Sequence, residues 1–318
     1  MSTSSQPDGS DLRAAVIGLG SMGGAMAATL IRAGWHVSGY DPSAAARRAA
    51  EQDGVHAHDS LGQLVGIPFL VLSLPSAAVV ESVLPELLGG TGTRCVVDTT
   101  TSEPATSQRM ATLASERGAA FCDAPVSGGN AGAAAGTLAA FVGGDERAIA
   151  AAQPLLVALT SGRWRHVGPV GSGNIVKLLN NALAATNLLA VAEASDVAAA
   201  HGIDLATALS AISGASGAST VSAVTFPEKI LSGSFTTGFS LGLMARDVAL
   251  ACEVAQSCGA SPQLFQQTNA AWQKAEATLG SQVDFVKATS TFTTATDALN
   301  PEHIRSSTTD LALDGARA

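Results

Sequence analysis

The chain has 318 residues, enough for one large domain or two modest ones, each with its own core. Apolar residues make up 47% and aromatic residues only 4%, which excludes disorder over most of the length and favours closely packed helices over stacked sheets. A formal net charge of −9 argues against nucleic acid or an anionic membrane surface as a partner, because both need a basic face.

Residues Met1 to Asp11 are polar and serine-rich, with no apolar core of a signal peptide, so a cytoplasmic location is expected. No run reaches the roughly 18 apolar residues of a membrane span, so none is expected. The cysteines, Cys95, Cys122, Cys252 and Cys258, form no CxxC pair and suit a reducing compartment. Short apolar runs then follow at Ala14–Ile17, His36–Tyr40, Phe69–Leu74, Cys95–Asp98, Phe121–Asp123 and Leu138–Val142, and read as strands. Between them the spacing predicts helices over Gly23–Ala33, Ala44–Gln52, Ala78–Leu88 and Pro104–Arg117. After Gly168 the strand signal stops. A long helix is predicted from Gly171 to His201, then helices at Leu205–Ile212, Gly242–Ser257 and Pro262–Leu279. The expected fold class is α/β: a Rossmann-type domain with a mostly parallel sheet over residues 12–170, joined by a long interdomain helix to an all-α domain over 171–299. Residues 1–11 and 300–318 are expected to be flexible tails.

Gly18-Leu19-Gly20-Ser21-Met22-Gly23 follows the first strand and opens the first helix, which is the context a dinucleotide-binding loop needs. Glycines there let the backbone turn tightly and approach a pyrophosphate, while the helix N-terminus offers free N–H groups. Asp41 ends the second strand, where a carboxylate accepts hydrogen bonds from ribose hydroxyls and repels a 2′-phosphate. NAD is therefore expected rather than NADP, although Arg47 and Arg48 follow closely on the next helix. On the long helix, Lys177 and Asn181 are four residues apart and share a face, with Asn180 nearby, in apolar surroundings. A lysine held in such surroundings gives up its proton more readily than an exposed one, which suits a base for an alcohol. Taken alone, the segment reads equally well as a snorkelling lysine beside asparagines that tie helices together. His56-Ala57-His58-Asp59 has no partner cluster to complete a metal site and reads as structural.

With these segments in place, the sequence resembles the β-hydroxyacid dehydrogenase family from about Ala14 to Phe285. The most specific stretch runs from Asp123 to Leu138 and includes Ser127-Gly128-Gly129, which without the likeness would read as a turn. The resemblance implies that Ser127, Gly128 and Gly129 hold the substrate, that Lys177 is catalytic and that Asn181 binds substrate beside it. It also implies cofactor contacts at Gly18, Leu19, Gly20, Met22, Gly23, Asp41, Leu74, Pro75 and Thr101. Arg246 stands before Asp247 where the family usually carries lysine as a cofactor contact; it keeps the charge with a planar, bulkier group. The implied activity is hydride transfer between NAD and a small β-hydroxy acid, 3-hydroxyisobutyrate first, with tartronate semialdehyde reduction or another hydroxy acid as alternatives, and the active site is expected in the cleft between the two domains. No metal is expected, and the extensive helical portion would leave a poorly covered surface alone, so a homodimer or homotetramer through that domain is expected. Two other classes remain: an imine reductase, which would be expected to lack Lys177, and a non-catalytic nucleotide-binding module, which would be expected to lose Lys177, Asn181 or the Ser-Gly-Gly donors.

Overall fold

The computed structural model describes residues 12–293. The expected tails, and the last residues of the expected helical domain, lie outside them. Six strands, β1 (Arg13–Ile17), β2 (His36–Tyr40), β3 (His56–His58), β4 (Phe69–Leu72), β5 (Cys95–Asp98) and β6 (Ala120–Asp123), run parallel in the order β3-β2-β1-β4-β5-β6. β4, β5 and β6 are buried at every residue, which explains why they read as continuous apolar runs rather than alternating ones. β7 (Val126–Ser127) and β8 (Ala139–Gly143) turn antiparallel, and β9 (Trp164–Gly168) pairs in parallel with β8.

The crossovers α1 (Ser21–Arg32), α2 (Ala44–Gln52), α3 (Ala77–Leu87) and α4 (Pro104–Glu116) cover both sides of this sheet. Met26 and Leu30 of α1 pack on one face with Val16, Val71 and Val97, and Leu155 and Leu156 of α6 (Glu146–Thr160) join them. Val80 and Leu84 of α3 and Met110 of α4 pack on the other face with Ile17, Leu70, Val96 and Phe121. A short helix, α5 (Gly129–Ala135), is tied to α1 by the Thr29 hydroxyl, which donates to the Ala133 carbonyl at 2.7 Å.

Several elements escape the apolar-run reading, the short β7 and α5 among them. The His56–His58 segment, read above only as structural, is edge strand β3, its two rings edge-on at 4.5 Å. α6 is alanine-rich with Pro154 inside it, and β9 carries the exposed Arg165 and His166. Edge strands bury less, so their sequences advertise less.

The chain divides into two compact units between Lys177 and Leu178, inside α7 (Ser172–Ala200). The second unit continues with α8 (Leu205–Ser213), a π-helical segment Val221–Leu231 that contains Pro227, α9 (Leu241–Ser257) and α10 (Gln263–Leu279). Its core gathers Leu188 and Ala192 of α7, Phe226 and Ile230 of the π-segment, Met244 and Val248 of α9 and the fully buried Trp272 of α10. The π-segment was not expected; its wide winding leaves no period that a 3.6-residue pattern detects. The expectation that no run could span a membrane also needs correction. By length and composition, α7 qualifies as a span. Its side chains at Leu178, Ala182, Ala185, Leu188 and Ala192 are buried in the protein, and so are the polar Asn174, Lys177 and Asn181 of the same helix.

Candidate active site

The glycines of the first loop do three different jobs. Gly18 sits at φ +91°, and a Cβ there would lie 2.2 Å from the Ser73 carbonyl oxygen. A Cβ on Gly23 would lie 1.8 Å from the Gly18 carbonyl oxygen, so Gly23 lets α1 close down on the loop. Among the described residues, Gly20, which precedes α1, has open space where a side chain would be, and no side chain caps the helix there. An uncapped helix start facing open space fits a phosphate group, and a Cβ at position 20 would intrude on that cradle.

Asp41 closes the loop from the end of β2. Its carboxylate accepts the Leu19 N–H at 2.9 Å and the Ser43 N–H at 2.8 Å. It therefore both braces the loop and supports the turn into α2, and it remains partly exposed. The Arg47 guanidinium donates to the Asp41 carbonyl at 2.7 Å, which folds that side chain back on the turn. Leu74 and Thr101 belong to neighbouring strand ends: the Leu74 N–H donates to the Thr100 hydroxyl at 3.2 Å, and the Thr100 N–H donates to Asp98 at 2.9 Å. Pro75, next to Leu74, is exposed; Thr101 is partly so.

Asp98 and Asp123 end adjacent strands in register, and both are buried. Burial pushes the Asp98 carboxyl up to about 7, the Asp123 charge adds to this, and hydrogen bonds from Thr100 oppose it. The Asp98 Oδ2 atom is buried with no hydrogen-bond partner among the described residues. Asp123 is also raised by burial, opposed by backbone N–H donors that include those of Gly171 and Asn174. Neither carboxylate was singled out from the sequence as functional; each follows an apolar strand run as its one acidic residue, which is the signal that could have found them.

Ser127 ends β7, and Gly128 and Gly129 follow at φ +131° and +60°, conformations that glycine adopts without strain. Ser127 is half-buried, while both glycines are exposed at the start of α5. Lys177 is only 7% exposed, on the second turn of α7. In the second unit the buried Asn181 donates to Asp247 at 2.7 Å and accepts from Asn180 at 3.1 Å. Arg246 donates to the other Asp247 oxygen at 2.8 Å. Arg246 thus neutralises a fully buried carboxylate. Among the described residues no three His, Cys, Asp or Glu side chains cluster as metal ligands.

Residues 13–168 match the family described as the NAD binding domain of 6-phosphogluconate dehydrogenase, and residues 171–292 match NAD-binding of NADP-dependent 3-hydroxyisobutyrate dehydrogenase. The chain is 35% identical to the NAD-dependent L-serine dehydrogenase of Pseudomonas aeruginosa, over 78% of its own length and 86% of the relative's. It is 34% identical to 2-(hydroxymethyl)glutarate dehydrogenase of Eubacterium barkeri, over 74% and 80% of the two chains. The solved structure of Mycobacterium tuberculosis 3-hydroxyisobutyrate dehydrogenase with L-serine superposes with a TM-score of 0.80 at 31% identity, covering 88% of this chain and 98% of that one. A glycine loop built for a dinucleotide, a matching helical half and relatives alike over most of their length lead to one conclusion: the chain belongs to the β-hydroxyacid dehydrogenase family, NAD(P)-binding oxidoreductases that act on CH–OH groups.

Proposed function

We propose that the protein oxidises the hydroxyl-bearing carbon of a small β-hydroxy acid, with NAD as cofactor and Lys177 as the acid–base residue. The observation that carries this reading is the burial of Lys177, since a lysine serving only solubility stays in water. Gly18, Leu19, Gly20, Met22 and Gly23 would hold the pyrophosphate, Leu74, Pro75 and Thr101 would line the cofactor further along, and Asp41 would accept the ribose hydroxyls. A bound nicotinamide supplies the two-electron acceptor. The partly exposed Asp41 carboxylate disfavours a 2′-phosphate, which supports NAD over NADP.

The Ser127 hydroxyl and the N–H groups of Gly128 and Gly129 would offer three donors to the substrate carboxylate. Lys177, as the free amine, accepts the proton of the substrate hydroxyl as the carbinol carbon is oxidised. In the reverse direction its ammonium returns that proton to the developing alkoxide, so reduction uses the same residue. Asn181, one helical turn further along α7, adds a hydrogen bond to the substrate, its amide orientation set by Asp247.

3-Hydroxyisobutyrate ranks first among substrates. The L-serine and 2-(hydroxymethyl)glutarate dehydrogenases widen the range, and all three substrates share a hydroxymethyl group on the carbon next to a carboxylate. They differ in the third substituent on that carbon, so the constant part of the site is the carboxylate grip and the lysine. The test is a panel of such acids with NAD⁺ and NADP⁺, following absorbance of the reduced cofactor. Turnover of at least one acid, faster with NAD⁺, is expected; no turnover with any of them sinks the reading.

A further inference from the structure

Within the first unit, the start of α7 is held by a carboxylate that reaches it from the sheet. A helix leaves its first N–H groups without partners of its own. Here Asp123, at the end of β6, takes two of them: one oxygen accepts the Gly171 N–H and the other the Asn174 N–H, both at 2.8 Å. Negative charge at this end of a helix is also favoured by the aligned peptide dipoles.

The pocket around this carboxylate leaves no slack. A Cβ on Gly143 of β8 would fall 2.4 Å from one Asp123 oxygen, and a Cβ on Gly173 would fall 2.8 Å from the other and 2.5 Å from the Phe141 carbonyl oxygen. Two glycines therefore let β8 and α7 close on Asp123. A second layer fixes the same turn: the Asn174 side chain accepts the Ser102 N–H at 2.9 Å and donates to the Ser107 hydroxyl at 3.0 Å, all of it buried. Lys177 follows Asn174 by three residues, on the same side of the helix and about 4.5 Å along its axis.

We propose that Asp123 is a positioning residue for Lys177, holding the first turn of α7 in the register that delivers the amine to the substrate hydroxyl. This rests on the dehydrogenase reading above. Removing Asp123 leaves the glycine loop and Asp41 intact, so the effect falls on the chemical step and not on cofactor binding. Displacements of about 1 Å at a reacting group cost on the order of 100-fold in rate.

The experiment compares wild type, Asp123→Asn, Asp123→Ala and Gly143→Ala. It reads kcat with the best hydroxy acid and the dissociation constant of NAD⁺ by fluorescence titration. Asn keeps one acceptor and should lower kcat about tenfold, whereas Ala keeps none and should lower it about 100-fold. Gly143→Ala keeps the charge but displaces it, and should fall between the two. NAD⁺ affinity should change by less than about twofold throughout, a split that general loosening of the fold would not produce. If Asp123→Ala does not fold, the isosteric Asp123→Asn decides. The proposal is overturned if the folded variants keep kcat within about twofold of wild type, or if NAD⁺ affinity falls in step with kcat. An inactive wild type would instead bring down the dehydrogenase reading, and this inference with it.

Discussion

Asp123 and Asp247 are both buried, and both take a hydrogen bond from α7, but one is met by backbone and the other by side chains. Asp123, in the first unit, accepts N–H groups that any sequence would present at a helix start; what it needs from its neighbours is space, supplied by Gly143 and Gly173. Asp247, in the second unit, depends on the identity of Asn181 and Arg246. The first anchor is therefore sensitive to added volume and the second to lost chemistry. Asn174 and Asn181 lie seven residues apart, two turns of one helix, with Lys177 between them.

The largest effect should come from that middle residue. Lys177→Ala is expected to lower kcat by about 1,000-fold while leaving NAD⁺ affinity nearly unchanged. Unchanged turnover would remove the reason for anchoring this stretch of α7 at all.

Asp98 sharpens the contrast, because it neighbours Asp123 yet has one oxygen with no hydrogen-bond partner among the described residues. Its folded-state value of about 7 lies above the ordinary 3.8. Between those values the folded protein holds a proton that the unfolded chain has lost, so stability falls as pH rises through this window and stays reduced above it. Asp98→Asn keeps the oxygen that bonds Thr100 and removes the titration. It should gain on wild type from pH 4 to pH 7, approaching about 4 kcal/mol. Urea unfolding at pH 4.5 and 8 measures this, and a difference independent of pH would contradict it.

Removing Asp247 breaks the side-chain anchor. Asp247→Ala leaves the buried Asn181 amide and the Arg246 guanidinium without their shared acceptor and should cost about 3 kcal/mol in chemical unfolding. A cost below about 1 kcal/mol would mean that water replaces the carboxylate. The smallest effect separates two glycines of one loop. Gly20→Ala should weaken NAD⁺ binding about tenfold at an unchanged melting temperature, because its Cβ meets only open space in the protein. Gly23→Ala should lower the melting temperature itself, because its Cβ meets the Gly18 carbonyl.

Much of the fold could be read in advance. The runs at Ala14–Ile17, Cys95–Asp98 and Phe121–Asp123 became central strands because burial on both faces leaves only apolar choices. β3, α6, β9 and the π-segment were not legible, since edge strands, proline inside a helix and a non-3.6 winding all blur the pattern. In the site, the Gly18–Gly23 loop and Asp41 were legible because sequence-local geometry defines them. The support around Lys177 was not: Asp123 bonds Asn174 across 51 positions of sequence, and Asn181 bonds Asp247 across 66.

By itself, the sequence determined where the central strands, several of the helices and the glycine loop lie, because burial and backbone geometry act on residues close in the chain. It also placed Lys177 and Asn181 on one face of one helix, which follows from 3.6 residues per turn. Only the tertiary structure decided that Lys177 is buried, that Gly20 opens to space while Gly23 is packed shut, and that Asp98 and Asp123 stand side by side at the sheet's end. Those are consequences of which distant segments meet. A carboxylate's proton affinity and a glycine's role depend on atoms brought by other parts of the chain, and no local pattern carries that information.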